Sequence, residues 1–286
     1  MVKHLIPNTL NEALEALSKH PYQIIGGGTD AMIQYRNHSD LSPRFKAHVM
    51  YIMNLKALQG ISSNDAAIII QSMTPLETLN SHALVPPLLR KVILEMASPA
   101  LRYVATLAGN IVNASPAGDA LVPLYLWDTE VVLQSHQNSR KIRLSECITG
   151  PKKTGIRADE LLTQIIIPKH DESGHYYQKV GGRRADAIAK ISFAGTYKIN
   201  NNTLTDIRMA FGAVSATIVR QRDIENMIIG LNINDLSTKI EQLQAAYAPY
   251  IQPIDDQRSN RVYRKQVALN LIADFINHII KEASRP

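Results

Sequence analysis

The sequence predicts an α+β fold, because strands and helices do not alternate regularly along the chain. Apolar strands in mixed order occupy the first 170 residues, an Asn-rich turn at 200–202 joins two further strands, and long helical patterns close the chain. A length of 286 residues suits one large domain or two modest ones. We place the boundary in the polar stretch after residue 168, with domains at 1–170 and 171–286 and subdomains at about 1–55 and 56–170.

The first segment is predicted to run helix, strand, glycine turn, helix and strand. Thr9-x-x-Glu12 is a capping-box pattern, and the apolar residues that follow it lie on one helical face. A strand over Tyr22–Ile25 leads into three glycines, a helical piece over Ala31–Arg36 and a second strand over Val49–Met53.

The later elements are predicted from apolar runs and the turn residues that flank them. The predicted strands are Ala66–Gln71, Glu130–Leu133, Leu161–Ile167, Tyr176–Val180, Ile191–Ile199 and Thr205–Phe211. The predicted helices are Pro75–Asn80, Pro87–Ala97, Leu236–Tyr247 and Asn260 to about Ala283. The stretch 104–119 is rich in small residues and turns, and Trp127 is expected in the core on the approach to a strand.

Composition excludes several classes of protein. Hydrophobic residues at 45% and charged residues at 20% are typical of a globular protein and too apolar for disorder. One cysteine, Cys147, excludes a disulfide framework, a cysteine-ligated zinc site and a self-contained iron–sulfur cluster, and we expect it to be a small buried hydrophobe. No apolar run approaches 18 residues and the N-terminus lacks a signal-peptide core, so we expect a cytoplasmic protein without membrane insertion.

The net charge of +6 would suit nucleic acid, a phosphate-bearing cofactor or an acidic partner. The basic residues are dispersed apart from Arg183–Arg184 and a group at 258–265, and aromatic residues at 6% offer little stacking surface. We therefore expect no nucleic-acid partner. Arg258, Arg261 and Lys265 are expected on one face of the last helix, either solvated or against a partner. The nine histidines lack metal-ligand spacing, so we expect no metal site.

The strongest motif is Gln23–Asp30, which we call the glycine loop. Three consecutive glycines let the backbone turn sharply and expose N–H groups, and such a loop before a helix can seat a pyrophosphate. It lacks the spacing of a Walker loop and of the G-x-G-x-x-G fingerprint. The alternative is a plain strand-to-helix turn with Asp30 as N-cap.

The second motif is Ala105–Asn110, followed by further small and polar residues up to Asp119. Small residues with short hydrogen-bonding side chains can approach a planar ring closely and bind its edges. The alternative is a buried small-residue turn that leads into an ordinary strand.

Together, GGGTD and the segment VATLAGNIVNASPAGD at 104–119 resemble the FAD-binding subunit of molybdenum-containing hydroxylases. This family includes xanthine dehydrogenase, whose bacterial FAD-binding subunit the chain resembles in particular, and the medium subunit of carbon monoxide dehydrogenase. Segments 161–168, 181–194 and 207–220 extend the resemblance over nearly the whole chain. It implies a two-subdomain FAD-binding fold of the PCMH/VAO type, with a smaller C-terminal α+β domain of antiparallel sheet and helices that covers the flavin.

The resemblance also implies which residues hold FAD. The glycine loop would hold the pyrophosphate and ribose, and the second motif would line the flavin. Asp119 corresponds to a cofactor-binding carboxylate, Leu161 or Leu162 to an apolar contact, and Lys179 or Gln178 to a basic contact. The expected cofactor-binding residues are Gln23, Ile24, Ile25, Gly26, Gly27, Gly28, Thr29, Asp30, Ala105, Thr106, Leu107, Ala108, Gly109, Asn110, Asp119, Leu161 and Lys179.

Two positions depart from the family pattern. Ala108 stands where many relatives have a glycine, so a methyl group is expected beside the flavin, and Met96 stands where some have an aromatic residue. We also expect Gly27 to lie where the backbone meets the pyrophosphate, so that Gly27→Val would fold but lose flavin.

The implied role is electron transfer. A molybdenum-binding large subunit would hydroxylate the substrate, and [2Fe–2S] clusters on a small subunit would pass electrons to FAD. An acceptor, expected to be NAD+, would then be reduced. No catalytic acid or base is expected in this chain. Two alternatives are a stand-alone flavin oxidase or reductase and a non-enzymatic protein that binds anions or nucleic acid.

Overall fold

The computed structural model describes residues 2–183 and 186–285, so Arg184 of the predicted basic pair lies outside the described residues. The strands are β1 His4–Leu5, β2 Tyr22–Ile25, β3 His48–Tyr51, β4 Ile61–Ser63, β5 Ala67–Gln71, β6 Glu130–Gln134, β7 Ser139–Arg143, β8 Ile148–Gly150, β9 Lys153–Thr154, β10 Leu161–Pro168, β11 Gly174–Val180, β12 Ile191–Asn200 and β13 Thr203–Gly212. The α-helices are α1 Leu10–Lys19, α2 Ala31–Gln34, α3 Leu76–Ser81, α4 Pro87–Leu94, α5 Pro99–Arg102, α6 Leu107–Asn113, α7 Leu121–Leu126, α8 Leu144–Cys147, α9 Arg222–Asn226, α10 Ile240–Tyr247 and α11 Arg261–Ala283. Short 3₁₀ helices cover Lys56–Leu58 and Ile233–Lys239.

The chain forms two compact units whose segments interleave along the sequence. The first unit comprises the residues up to Pro86, Ala97–Ala114 and Asp128–Lys169. The second comprises Pro87–Met96, Ser115–Trp127 and the residues from His170 onward.

The first unit contains a parallel sheet in the order β1-β3-β2 and an antiparallel sheet in the order β4-β5-β10-β6-β7. Helix α1 begins as predicted, because the Thr9 hydroxyl accepts a hydrogen bond from the Glu12 N–H at 3.1 Å. The Glu12 carboxylate accepts in return from the Asn8 N–H at 2.7 Å, which completes a capping interaction one residue before the N-cap. Central strand β10 is bulged between Leu162 and Gln164.

The second unit is built on the antiparallel sheet β11-β12-β13, with α11 packed against it. The predicted hairpin is confirmed: Asn201 and Asn202 both adopt left-handed φ, as the turn between β12 and β13 requires. Gly195 on β12 lets the ring of Phe275 approach, since a β-carbon there would lie 2.4 Å from that ring. The core of the unit is therefore aromatic and close-packed.

Helices α6 and α7 were not predicted from the sequence. The segment of α6 holds weak helix formers such as Gly109 and Asn110, and α7 contains Pro123. Pro123 lies in the first turn of α7, where its missing N–H has no intrahelical partner to lose. Burial stabilises both helices. Three residues of α6, Leu107, Ala108 and Ile111, are buried, and nearly every apolar side chain of α7 is inaccessible to solvent.

Further predictions can be compared with the structure. Cys147 and Trp127 are buried as predicted, and Trp127 lies between the end of α7 and the start of β6 at Glu130. The predicted shared face of Arg258, Arg261 and Lys265 is wrong, because α11 begins only at Arg261 and Arg258 bonds Asp256 ahead of it. No helix within the described part of the chain is long and apolar enough to cross a membrane.

Candidate functional site

The first three residues of the glycine loop, Gln23–Ile25, belong to β2, and its next residues, from Gly26 to Thr29, are partly accessible to solvent. Within residues 2–183 and 186–285, no hydrogen-bond acceptor is found for the backbone N–H groups from Gly26 to Asp30. The following helix, α2, has four residues, so its dipole contributes little to anion binding. Asp30 stands at the N-cap position of α2, as the alternative of a plain strand-to-helix turn has it, but its side chain makes no capping hydrogen bond. The capacity of this loop to bind an anion therefore depends on its unpaired N–H groups.

Two different constraints, one conformational and one steric, favour glycine at two positions of the loop. Gly28 has φ +71°, the left-handed region that other residues adopt at a cost. Gly27 has no positive φ, but a β-carbon built on it would lie 1.8 Å from the backbone oxygen of Val104. Val104 immediately precedes the second motif, so the first unit brings the two sequence motifs into direct backbone contact. The backbone at Val104 thus requires glycine at position 27 whether or not a ligand is bound.

The second motif forms the start of α6. Thr106 is the N-cap: its buried hydroxyl oxygen accepts a hydrogen bond from the Gly109 N–H at 3.0 Å. The hydroxyl hydrogen is still available for donation. Asn110, one turn into the helix, has a buried side-chain oxygen with no hydrogen-bond partner among the described residues. Both side chains therefore offer polar groups at the N-terminal end of α6.

Three further expected residues of the first unit are apolar and packed inside. Ala108 is buried in α6, so its methyl group lies within the protein rather than on an open surface. Leu161 and Leu162 at the start of β10 are both buried, and β10 pairs there with β6. Their contact with a cofactor stays a prediction.

Asp119 lies in the second unit, in the turn before α7, and is 7% exposed. Its Oδ2 is 2.7 Å from Nζ of Lys179, and the same ammonium donates to the backbone oxygen of Glu95 at 2.8 Å. Its Oδ1 has no hydrogen-bond partner among the described residues. Burial raises the pKa of Asp119, while the charge and hydrogen bond of Lys179 oppose that rise. The ion pair fixes the carboxylate and leaves one acceptor oxygen available.

One basic contact was expected on β11, at Lys179 or, one position earlier, at Gln178; the structure pairs Lys179 with Asp119 and leaves Gln178 exposed. Asp119 and Lys179 form a cluster with Glu95 and Tyr177, and sequence reasoning missed the last two. Glu95 takes part only through its backbone oxygen, which no side-chain pattern reports. Tyr177 lies two residues before Lys179, and period-two spacing on a predicted strand was the available signal.

These groups fit FAD in kind. In the first unit, the unpaired N–H groups suit a pyrophosphate and the unpaired buried oxygen of Asn110 suits a donor on a ring. In the second unit, the unpaired Oδ1 of Asp119 is likewise able to accept a hydrogen bond from a ligand. Within the described ranges, no group of three or more His, Cys, Asp or Glu side chains is arranged to hold a metal ion.

Comparisons with known proteins cover nearly the whole chain. A model of the FAD binding domain in molybdopterin dehydrogenase matches residues 1–170, and a model of the CO dehydrogenase flavoprotein C-terminal domain matches residues 175–279. The putative xanthine dehydrogenase FAD-binding subunit of Escherichia coli strain K12 is 28% identical over 284 residues, covering 96% of this chain and 93% of that protein. The carbon monoxide dehydrogenase medium chain of Hydrogenophaga pseudoflava is 25% identical, covering 95% of this chain and 94% of that protein.

One solved structure shows the fold. Reconstituted CO dehydrogenase from Oligotropha carboxidovorans contains a chain that matches with a TM-score of 0.86 at 20% identity, and the match covers 96% of both chains. The predicted α+β architecture, an FAD-binding domain followed by a C-terminal domain, is confirmed.

Proposed function

This chain belongs to the family of FAD-binding domains of molybdopterin dehydrogenases, and from that premise we propose that it is the electron-transfer subunit of a xanthine dehydrogenase-like molybdenum hydroxylase. In this role it receives electrons from [2Fe–2S] clusters on a small partner subunit and delivers them to NAD+. A molybdenum-binding large subunit oxidises the substrate. The observation that carries the proposal is the glycine loop, whose unpaired N–H groups are held against the second motif by the contact of Gly27 with Val104.

FAD supplies the redox chemistry, and this chain supplies its binding and its electrostatic surroundings. We assign the pyrophosphate to the N–H groups of Gly26–Asp30, because amides converging on an anion stabilise its charge. In the same unit, Thr106 and Asn110 are assigned to the flavin side, with Ala108 and Leu161 as apolar support.

In the second unit, Asp119 is assigned as a hydrogen-bond acceptor for FAD, held in place by Lys179. No residue of the chain is assigned to proton transfer. The domain limits 1–170 and 171–286, the acceptor NAD+ and the cytoplasmic location remain predictions.

The partner subunits are proposed because this chain cannot hold an iron–sulfur cluster. Such a cluster takes four protein ligands, usually cysteine thiolates, and the chain has one cysteine. Cys147 is buried, and burial raises the pKa of its thiol to about 11, so the thiolate form is scarce. The electrons must then arrive from another polypeptide, across an interface that typically buries on the order of 1,200–2,000 Å².

The experiment is purification of the chain from its native host, with every co-purifying subunit retained. We expect a yellow complex that releases free FAD on denaturation, and reduction of the flavin by added NADH, the reverse of transfer to NAD+. A colourless chain that takes up no added FAD contradicts the proposal. A monomer that oxidises a substrate by itself indicates a stand-alone oxidase instead.

A further inference from the structure

Tyr177 is a buried tyrosine whose hydroxyl group has no hydrogen-bond partner among the described residues. It is 3% exposed, so the hydroxyl has lost its contacts with water. Buried polar groups are nearly always hydrogen-bonded, so an unpartnered one needs an explanation. The same second unit holds an unpartnered acceptor, Oδ1 of Asp119.

The two groups belong to one cluster. Tyr177 and Lys179 are two residues apart on β11, so their side chains lie on the same face of the strand. Lys179 reaches Asp119 and the Glu95 oxygen from that face, beside the end of α4. Tyr176 points to the opposite face, where its ring centroid lies 5.9 Å from that of Phe275 on α11. The phenol of Tyr177 is thus directed toward Asp119 rather than toward the aromatic core.

The hydroxyl is a donor under all ordinary conditions. Burial, together with the negative charge of Asp119, raises the pKa of Tyr177 well above its usual value. The Asp119 oxygen is an acceptor, but the two atoms do not bond to each other. One ligand that carries a donor beside an acceptor would satisfy both, and the pyrimidine edge of a flavin has N–H and C=O groups side by side.

We propose that Tyr177 is a further FAD-binding residue, whose hydroxyl donates a hydrogen bond to the cofactor beside Asp119. This inference rests on the proposed function. Phenylalanine at this position would pack equally well in the protein without FAD. The hydroxyl makes no hydrogen bond within the described residues, so we assign it to the ligand rather than to the fold.

The experiment compares Tyr177→Phe with Tyr247→Phe in the full chain, with any co-purifying subunits retained. Tyr247 is the matched control, since it is also a buried tyrosine of the second unit, but it lies in α10 away from the cluster. Each protein is stripped of FAD and titrated with it, and the Kd is taken from quenching of flavin fluorescence. The absorption envelope of the bound flavin and the urea midpoint with and without FAD are recorded as well.

We expect Tyr177→Phe to bind FAD about five- to tenfold more weakly, the loss of one hydrogen bond, and to shift the flavin absorption. Its FAD-free form should be at least as stable as the wild type, because an unpartnered polar atom has been removed. Tyr247→Phe should bind FAD within about twofold of the wild type.

Three outcomes overturn the inference. An unchanged Kd and spectrum for Tyr177→Phe means that the hydroxyl does not contact FAD. Equal weakening by both variants, with equal loss of stability without FAD, means that the effect is general packing. Absence of FAD binding by the wild type itself removes the proposed function, and this inference with it, before any variant is compared.

Discussion

The backbone oxygen of Val104 occupies the space into which a side chain of residue 27 would project, because a β-carbon on Gly27 would lie 1.8 Å from that oxygen and 2.4 Å from its carbon. Two motifs that lie far apart in sequence are thereby in van der Waals contact through bare backbone. The loop that offers its N–H groups to an anion therefore packs directly against the segment that leads into α6. Fold and ligand binding are coupled at this contact.

Gly27→Ala should lower both stability and FAD content. The added methyl must displace backbone rather than a flexible side chain, and overpacking of this kind costs about 1–3 kcal/mol. Gly155→Ala is the control, since its nearest neighbour would be 3.8 Å away and its φ is not left-handed. Urea unfolding and flavin content per chain are the measurements. A fully stable Gly27→Ala protein would show that Val104 yields freely, and only then could Gly27→Val fold without flavin as the sequence suggested.

Thr106→Val should weaken α6 by removing the oxygen that caps the Gly109 N–H. Loss of a Thr cap costs about 1 kcal/mol, and we expect FAD affinity to fall with it, because the same helix end carries the proposed flavin contacts. Thr106→Ser keeps the hydroxyl and should restore both properties. Thermal unfolding and FAD titration of the two variants test this, and equal behaviour of Ser and Val would contradict a capping role.

Lys179→Met should make stability depend more strongly on pH. Burial raises the pKa of Asp119 in the folded state, so the folded protein holds that proton more tightly than the unfolded chain does. The contribution of Asp119 to the free energy of unfolding is then greatest below the pKa of the unfolded chain, about 3.9. It falls as the pH rises through the raised pKa of the folded protein. Lys179 opposes this fall, and its removal leaves a buried carboxylate unpaired.

The expected loss for Lys179→Met is about 3–5 kcal/mol near pH 8 and much less near pH 4, measured by urea unfolding. Lys198→Met is the control, because its partner Asp171 is exposed and a surface pair contributes about 0–1 kcal/mol. A loss for Lys179→Met that is the same at both pH values would mean that Asp119 does not titrate against this lysine.

Cys147 should not react with a thiol reagent in the native protein. Burial raises the pKa of its thiol to about 11, which leaves about one thiolate in a thousand at pH 8, and the side chain is inaccessible. Colorimetric thiol titration should detect no reactive thiol before unfolding and one per chain in urea. Rapid labelling of the folded protein would refute the burial that also removes Cys147 from any cluster-ligand role.

Much of the local structure could be predicted because its causes are local. The cap at Thr9, the four-residue strand before the glycines, the Asn turn between β12 and β13 and the start of the last helix near Asn260 each depend on neighbours within four residues. The glycine loop could be recognised for the same reason, since consecutive glycines permit a turn with exposed amides wherever they occur.

The contacts that make the site could not be predicted in this way. The Val104 oxygen at Gly27 and the Glu95 oxygen at Lys179 are backbone atoms of distant segments, and backbone atoms leave no residue-type signal in a sequence. Helices α6 and α7 have weak intrinsic propensity and form because burial in the folded protein outweighs it. By itself, the sequence determined the chemistry available at each motif. The tertiary structure alone decided which oxygens remain unpaired, because pairing depends on atoms that only packing brings within hydrogen-bond distance.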